Sequence, residues 1–180
     1  TDRTAAIVAA IDGGTLIRMP VNGGKGRAVR EGVARASGEL ILIQDADLEY
    51  DPADYRPMLQ ALRERGADIV YGSRYMRAGK HAQQSLAAYL GGRSLSLIAL
   101  AFTGRYLTDT VTALKLYPRS LLLDMDLRTT GFELDHEMTA KALARGMTIV
   151  EVPIRYFPRS RAEGKKIGLK DWFRAFRTFR

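Results

Sequence analysis

Residues 38–52, Gly-Glu-Leu-Ile-Leu-Ile-Gln-Asp-Ala-Asp-Leu-Glu-Tyr-Asp-Pro, constrain the fold more than any other part of the chain. Positions 40–43 form a continuous apolar run, bounded by Gly38 and by a cluster of acids. A run that short and that apolar reads as a strand buried on both faces, which belongs inside an α/β sheet. Asp45, Asp47, Glu49 and Asp51 crowd just past its carboxyl end, where ligands bind in open α/β sheets. Four carboxylates so close together repel one another and need a positive partner. A divalent cation with oxygen ligands, Mg²⁺ or Mn²⁺, meets that need.

The rest of the chain supports an α/β layered reading. Helical spacing covers residues 4–11 and ends at Asp12-Gly13-Gly14; residues 15–19 read as a short strand. Asn22-Gly23-Gly24-Lys25-Gly26 is a turn, and residues 28–36 are helical, with Gly38 as the stop. Asp51 can cap the next helix, Pro52 suits its first position, and Gly66 ends it. Strands are expected at 68–71, 111–117 and 148–152, and helices at 86–102, 133–145 and 170–180, with a loop over 76–84. Strands alternate with helices, without internal repeats or a low-complexity linker, so residues 1–180 read as a single domain.

Composition removes several classes of chemistry. The chain has no cysteine, which excludes disulfides, thiolate metal sites and cysteine nucleophiles. His81 and His136 are too few and too far apart for a zinc site. No signal-peptide pattern is visible. The most apolar window, 86–102, is interrupted by Gly91, Gly92 and Arg93 and makes a poor membrane span. It reads as a core-packing helix, with a helix resting on a bilayer as the alternative. The net charge of +8 is concentrated at one end: residues 155–180 hold nine Lys or Arg against Glu163 and Asp171. That asymmetry implies an anionic partner, a phosphate or an anionic membrane surface. The aromatics there are scattered and form no nucleic-acid motif, so nucleic acid is not expected as a partner.

The acidic loop admits several readings. An EF-hand is excluded because Tyr50 occupies the sixth position, where glycine is needed. A phosphohydrolase with Asp45 as nucleophile is open, although Glu49 stands where Thr or Val is usual. A metal–diphosphate site fits well, because Asp-x-Asp brings two carboxylates to one cation that also holds phosphate oxygens. The glycines around Lys25 resemble a phosphate loop but lack the Walker pattern, so a tight turn opening a helix is an equal reading. Gly72-Ser73-Arg74-Tyr75 brings a guanidinium to the same crevice, for a phosphate or for the acids. Asp109, in Thr108-Asp109-Thr110, orients a substrate group or caps a turn. Arg159, Arg161, Lys165 and Lys166, spaced by Gly164 and Gly168, suit closure over a phosphate-bearing substrate. A non-enzymatic module that binds anions through this basic segment is a further alternative.

These motifs, in this order, resemble the polyprenyl-phosphate (dolichyl-phosphate-type) sugar transferases of glycosyltransferase family 2. The resemblance runs through Asn22-Gly23-Gly24-Lys25-Gly26, Gln44-Asp45-Ala46-Asp47-Leu48-Glu49, Tyr71-Gly72-Ser73-Arg74 and Thr108-Asp109-Thr110. It continues through Gly131-Phe132-Glu133, Glu151-Val152-Pro153-Ile154 and Glu163-Gly164-Lys165-Lys166-Ile167. It implies a GT-A fold, Rossmann-like, with a mostly parallel sheet and helices on both faces. The implied reaction is inverting transfer of a sugar from a GDP- or UDP-sugar to a polyprenyl phosphate. A glycan or glycolipid acceptor is the nearest alternative.

By the same resemblance, Asp45 and Asp47 address the metal and the donor diphosphate, and Glu49 falls where a third metal ligand sits. Lys25 and Arg74 are placed on the donor phosphates, and Asp109 near the reacting sugar. Arg159, Lys165 and Lys166 are placed on the acceptor phosphate, with residues 155–180 as the acceptor and membrane-side end. The implied location is cytoplasmic, peripheral on the cytoplasmic face of a membrane. The family opens with two strands, one carrying a Pro-x-x-Asn-Glu-like segment and one ending in Asp-Asp-Gly-Ser. Both precede the point at which this sequence starts, so the GT-A domain is expected to be N-terminally incomplete.

Overall fold

The computed structural model describes residues 3–78, 84, 86–159 and 178. Four strands, β1 (Leu40–Ile43), β2 (Ile69–Ser73), β3 (Lys115–Pro118) and β4 (Ile149–Pro153), form one sheet in the order β1-β3-β2-β4. β2 and β4 pair in parallel, from Ile69 opposite Ile149 to Ser73 opposite Pro153. β3 runs antiparallel to both of its neighbours, with Ile43 opposite Lys115 and Tyr71 opposite Lys115. The sheet is therefore mixed, with most of its strands running one way, in keeping with the expected mostly parallel sheet. β1, β2 and β4 share a direction and β3 alone is reversed.

Alternation along the strands divides the core between two faces. Ile43, Ile69, Tyr71 and Tyr117 point to one side. There they meet Val33 of α2 (Gly24–Arg35), Leu122 of α6 (Arg119–Asp124), and Leu134, Met138 and Ala142 of α7 (Leu134–Ala144). Val70, Leu114, Leu116, Val152 and Ile154 point to the other side, against Met58 and Ala61 of α3 (Tyr55–Glu64). Helices thus cover both faces, as the alternating pattern requires. The start of α3 follows its sequence signals: the Asp51 carboxylate accepts from the Ala53 N–H at 2.9 Å, with Pro52 opening a short 3₁₀ turn. Gly66 and Gly146, past the ends of α3 and α7, both take positive φ.

Some expectations change. β1 lies at an edge of the described sheet, with Leu40 exposed and only Ile43 buried, so it is not covered on both faces. Residues 15–19 form no strand, and among the described residues none pairs with them. Helix α2 begins within the glycine turn, at Gly24. α1 (Thr4–Ala9) is short and buries none of its residues. α4 (Tyr75–Ala78) occupies part of the expected loop, and residues 79–83 and 85 lie outside the described residues. α5 (Leu86–Thr103) turns Leu95, Ser96 and Ala99 inward and leaves Leu86, Leu90, Leu97 and Phe102 each more than half exposed. Among the described residues no helix is long and apolar enough to cross a membrane.

Candidate active site

The carboxyl ends of β1, β2 and β4 and the start of β3 bring the singled-out motifs to one rim of the sheet. Lys25, in the first turn of α2, has its ammonium between two carboxylates: Asp45 at 3.1 Å and Asp135 of α7 at 3.0 Å. Asp135 is buried, and its second oxygen accepts from Lys115 at 3.3 Å. Lys115 is fully buried and also donates to the carbonyls of Thr110 (3.2 Å) and Asp135 (3.0 Å). Burial works against the Lys25 charge, but Asp135 and Asp45 outweigh it and hold its pKa above the ordinary lysine value. Burial also works against the Asp135 charge, and the two lysines outweigh it to keep its pKa low. The Asp45 carboxyl is raised, by burial first and by the charges of Asp135 and Asp47, with Lys25 opposing.

The glycines beside Lys25 serve close packing. A side chain on Gly24 would collide with the Thr130 carbonyl, and one on Gly26 with the Thr129 carbonyl. The Gly26 N–H donates to the Thr130 oxygen at 2.7 Å, and Arg30 donates to the Thr129 oxygen. Glu137 completes this strap by accepting from the N–H groups of Arg128 (2.9 Å) and Thr129 (2.8 Å). Of the two readings of the glycine-rich turn, the tight turn opening a helix describes this geometry. What it fixes is the position of Lys25.

On the next strand end, Arg74 and Asp109 form a two-pronged ion pair, at 2.6 Å from Nε and 2.7 Å from Nη2. The Arg74 N–H adds a third bond to the same carboxylate at 3.1 Å. Burial alone would disfavour the Arg74 charge; Asp109 more than offsets this, and the guanidinium is held protonated well above its ordinary range. Glu151 of β4 fixes the segment by accepting from Thr108 N–H (2.6 Å), Thr108 Oγ1 (2.8 Å) and Asp109 N–H (2.9 Å).

Past Asp45 the acidic loop turns sharply. Leu48 takes a left-handed backbone (φ 61°) and is 89% exposed. On either side of it, the acids go to different partners. Asp47 accepts from Arg159 Nη2 at 3.0 Å. Glu49 is buried and accepts from the Tyr156 hydroxyl (3.0 Å) and the Arg159 N–H (2.9 Å). Asp51 and Asp54 both pair with Arg155, at 2.9 Å each.

Together these contacts close a circuit. It leaves the acidic loop at Asp45 and passes through Lys25, Asp135 and Lys115 to the Thr110 carbonyl, beside Asp109. From Asp109 it reaches Arg74, whose guanidinium lies 5.1 Å from the centre of the Tyr156 ring. Tyr156 returns it to Glu49, and Arg159 to Asp47. The structure thus gathers Lys25, Asp45, Asp47, Glu49, Arg74, Asp109 and Arg159 around one rim. Lys165 and Lys166 lie outside the described residues. Among the described residues, no group of three Asp, Glu or His side chains is arranged to hold a metal ion by itself.

Sequence reasoning missed Asp135, Lys115, Glu151 and Tyr156 as members of this rim. Lys115 did carry a signal: a lysine between Leu114 and Leu116 in an apolar strand must find a carboxylate.

Comparison with known proteins identifies the family and the fold. The family model described as "Glycosyl transferase family 2" matches residues 1–123. The dolichol-phosphate mannosyltransferase of Pyrococcus furiosus is 30% identical over 156 residues, covering 85% of this chain and 43% of that protein. The chain spans 38–52% of the length of the first curated relatives it matches. Among solved structures, mannosyl-3-phosphoglycerate synthase from Rubrobacter xylanophilus superposes with a TM-score of 0.68 at 18% identity, over 98% of this chain and 57% of that one. Glucosyl-3-phosphoglycerate synthase from Mycobacterium tuberculosis, solved with Mn²⁺, UDP-glucose and phosphoglyceric acid, gives 0.57 at 20% identity, over 81% of this chain and 51% of that one. The structural likeness establishes a shared GT-A fold. With more than half of its length matched by the family model, the chain belongs to glycosyl transferase family 2.

Proposed function

We propose that this chain carries the catalytic rim of a metal-assisted, inverting transferase that moves a sugar from a GDP- or UDP-sugar to a polyprenyl phosphate. The observation that carries the reading is the Asp45–Asp47 pair at the end of β1, with the cationic groups of Lys25 and Arg159 directly against it. Two carboxylates flanked by cations suit a diphosphate whose charge is shared between a metal ion and the protein. Mg²⁺ and Mn²⁺ are held by one or two carboxylates plus substrate phosphates and water, so two acids suffice. Glu49 is spent on Tyr156 and the backbone of Arg159, so the ligand set assigned here is Asp45 and Asp47.

A bound divalent ion would neutralise the charge that develops on the departing nucleoside diphosphate. The protein's own part is placement. Lys25, clamped by Asp135, presents its ammonium beside Asp45, where it can share a diphosphate oxygen. Asp109 is engaged with Arg74, and its role is to orient that guanidinium, which is assigned to the donor phosphates. The acceptor phosphate is already anionic near neutral pH, so attack needs no strong base. Approach opposite the leaving group inverts the anomeric carbon, and holding two anionic substrates in register supplies the gain from proximity. Arg159, Lys165 and Lys166 are assigned to the acceptor phosphate.

A lipid acceptor fits two further observations. Leu86, Leu90 and Leu97 of α5 form an exposed apolar stripe along one helix face. Residues 69–108 contain no acid, so this stripe sits in a segment compatible with an anionic bilayer. The relative from Pyrococcus furiosus, by its name, acts on dolichol phosphate. Family membership leaves the phosphohydrolase reading of Asp45 without support.

The test is transfer of radiolabelled sugar by the native-length protein into an organic-extractable product, with Mg²⁺ or Mn²⁺ present. Product should form with a polyprenyl phosphate and vanish when the lipid has been treated with phosphatase. Transfer to a glycan or glycolipid instead, or no product with any common nucleotide sugar, would overturn the assignment.

A further inference from the structure

The two cations on the acidic loop are held very differently. Lys25 is 13% exposed and is gripped by Asp135, which is itself buried and shared with Lys115. Its departure would take one of two lysine partners from a buried carboxylate. Arg159 is 38% exposed and reaches Asp47 through one nitrogen, Nη2, at 3.0 Å. Its Nε is buried without a hydrogen-bond partner among the described residues, 3.5 Å from Glu49 Oε1. The backbone beneath it, by contrast, is pinned. Arg159 N–H donates to Glu49 at 2.9 Å, Phe157 N–H donates to the Glu49 carbonyl at 2.9 Å, and Tyr156 bridges to Tyr50. A fixed base thus carries a partly exposed guanidinium, bonded through one nitrogen, on the carboxylate that a metal ion would need.

We propose that Arg159 is the resident counter-ion of Asp47, that metal–diphosphate binding displaces it, and that its release makes acceptor-phosphate binding follow donor binding. This rests on the reading of Asp45 and Asp47 as the metal–diphosphate acids. The divalent ion replaces the single positive charge of Arg159 at the Asp47 oxygens. The displaced guanidinium stays within one side chain's length of the site because its backbone does not move. It then meets the next anion to arrive, the acceptor phosphate. Binding free energies are linked, so donor and acceptor each tighten the other by the same factor.

The experiment measures Mn²⁺ affinity in the native-length protein, by the electron paramagnetic resonance signal of free Mn²⁺, without nucleotide or acceptor. Wild type is compared with Arg159→Gln, Arg159→Lys and Asp47→Asn. Removing an exposed competitor should tighten Mn²⁺ binding in Arg159→Gln by roughly two- to fivefold. Arg159→Lys should stay near wild type, and Asp47→Asn should bind more weakly. In a second arm, calorimetry follows a short-chain polyprenyl phosphate with and without Mn²⁺ plus nucleoside diphosphate. Wild type should gain at least roughly fivefold in affinity from the pair, and Arg159→Gln should lose that gain. Equal Mn²⁺ affinity in wild type and Arg159→Gln, with loss in Asp47→Asn, would overturn the displacement and leave the site reading standing. Mn²⁺ binding unaffected by Asp47→Asn would overturn both.

Discussion

Replacing Asp109 with alanine isolates the energetics of the rim. Asp109 is 1% exposed and Arg74 8%. The substitution removes two charge-assisted bonds, at 2.6 and 2.7 Å, from a guanidinium that remains charged and buried. It also deprives the N–H groups of Arg74 (3.1 Å) and Val111 (3.3 Å) of the same acceptor. Breaking a buried pair from one side costs about 3–5 kcal/mol, because the surviving charge is left uncompensated. In a chain of this size that corresponds to a fall in melting temperature of about 6–20 °C. Exchanging both partners, Arg74→Met with Asp109→Leu, removes the charge as well as the pair, and should recover at least about 2 kcal/mol relative to Asp109→Ala. Differential scanning calorimetry and urea unfolding of the three proteins measure both quantities. A loss below about 1 kcal/mol in Asp109→Ala, or a double variant no more stable than the single, would refute the picture of an electrostatically self-contained pair.

Three further outcomes follow from the geometry. Gly26→Ala should destabilise by about 1–3 kcal/mol, since its methyl collides with the Thr129 carbonyl. Gly32→Ala, on the same helix with open space around it, should stabilise by about 0.5–1 kcal/mol; unfolding curves that ranked the two the other way would deny the close approach of α2 to the 128–131 strap. His136 is buried, and burial, followed by the charge of Lys115, pushes its pKa down to about 4. Its stability contribution is complete above the unfolded value near 6.5 and is lost as pH falls toward 4, by about 1.4 kcal/mol per pH unit at most. His136→Gln should flatten that part of the stability profile, and an unchanged slope would place the titration elsewhere.

Much of this architecture is legible in local sequence because its determinants are local. The cap at Asp51, the stops at Gly66 and Gly146 and the strand 40–43 each depend on residues within a few positions. What escapes is set by partners distant in sequence. No local signal reverses β3, whose direction depends on where α5 delivers the chain. Glu133, Asp135 and Glu137 are equally acidic in sequence. Only the packing of α7 against the sheet decides that Asp135 meets two lysines while Glu137 binds the 128–129 backbone. Glu49, which the motif suggests as a metal ligand, is engaged by Tyr156 and Arg159, more than a hundred positions away. Arg74 and Asp109 are each visible as candidates, yet their mutual pairing appears only when the ends of two antiparallel neighbours are brought side by side.

The reversal of β3 has a consequence for how the chain tolerates change. Because it runs opposite to its neighbours, its beginning joins the ends of β1, β2 and β4 at the rim that carries Asp45, Arg74, Asp109 and Arg159. Among the described residues, the opposite rim carries connections: Gly38 before β1, Gly66 before β2, Gly146 before β4, and the turn from Pro118 into α6. Chemistry and connectivity are therefore segregated by a full strand length. New termini or an inserted segment at Gly146 would alter the order of the chain while leaving every charged group of the rim on its original neighbour.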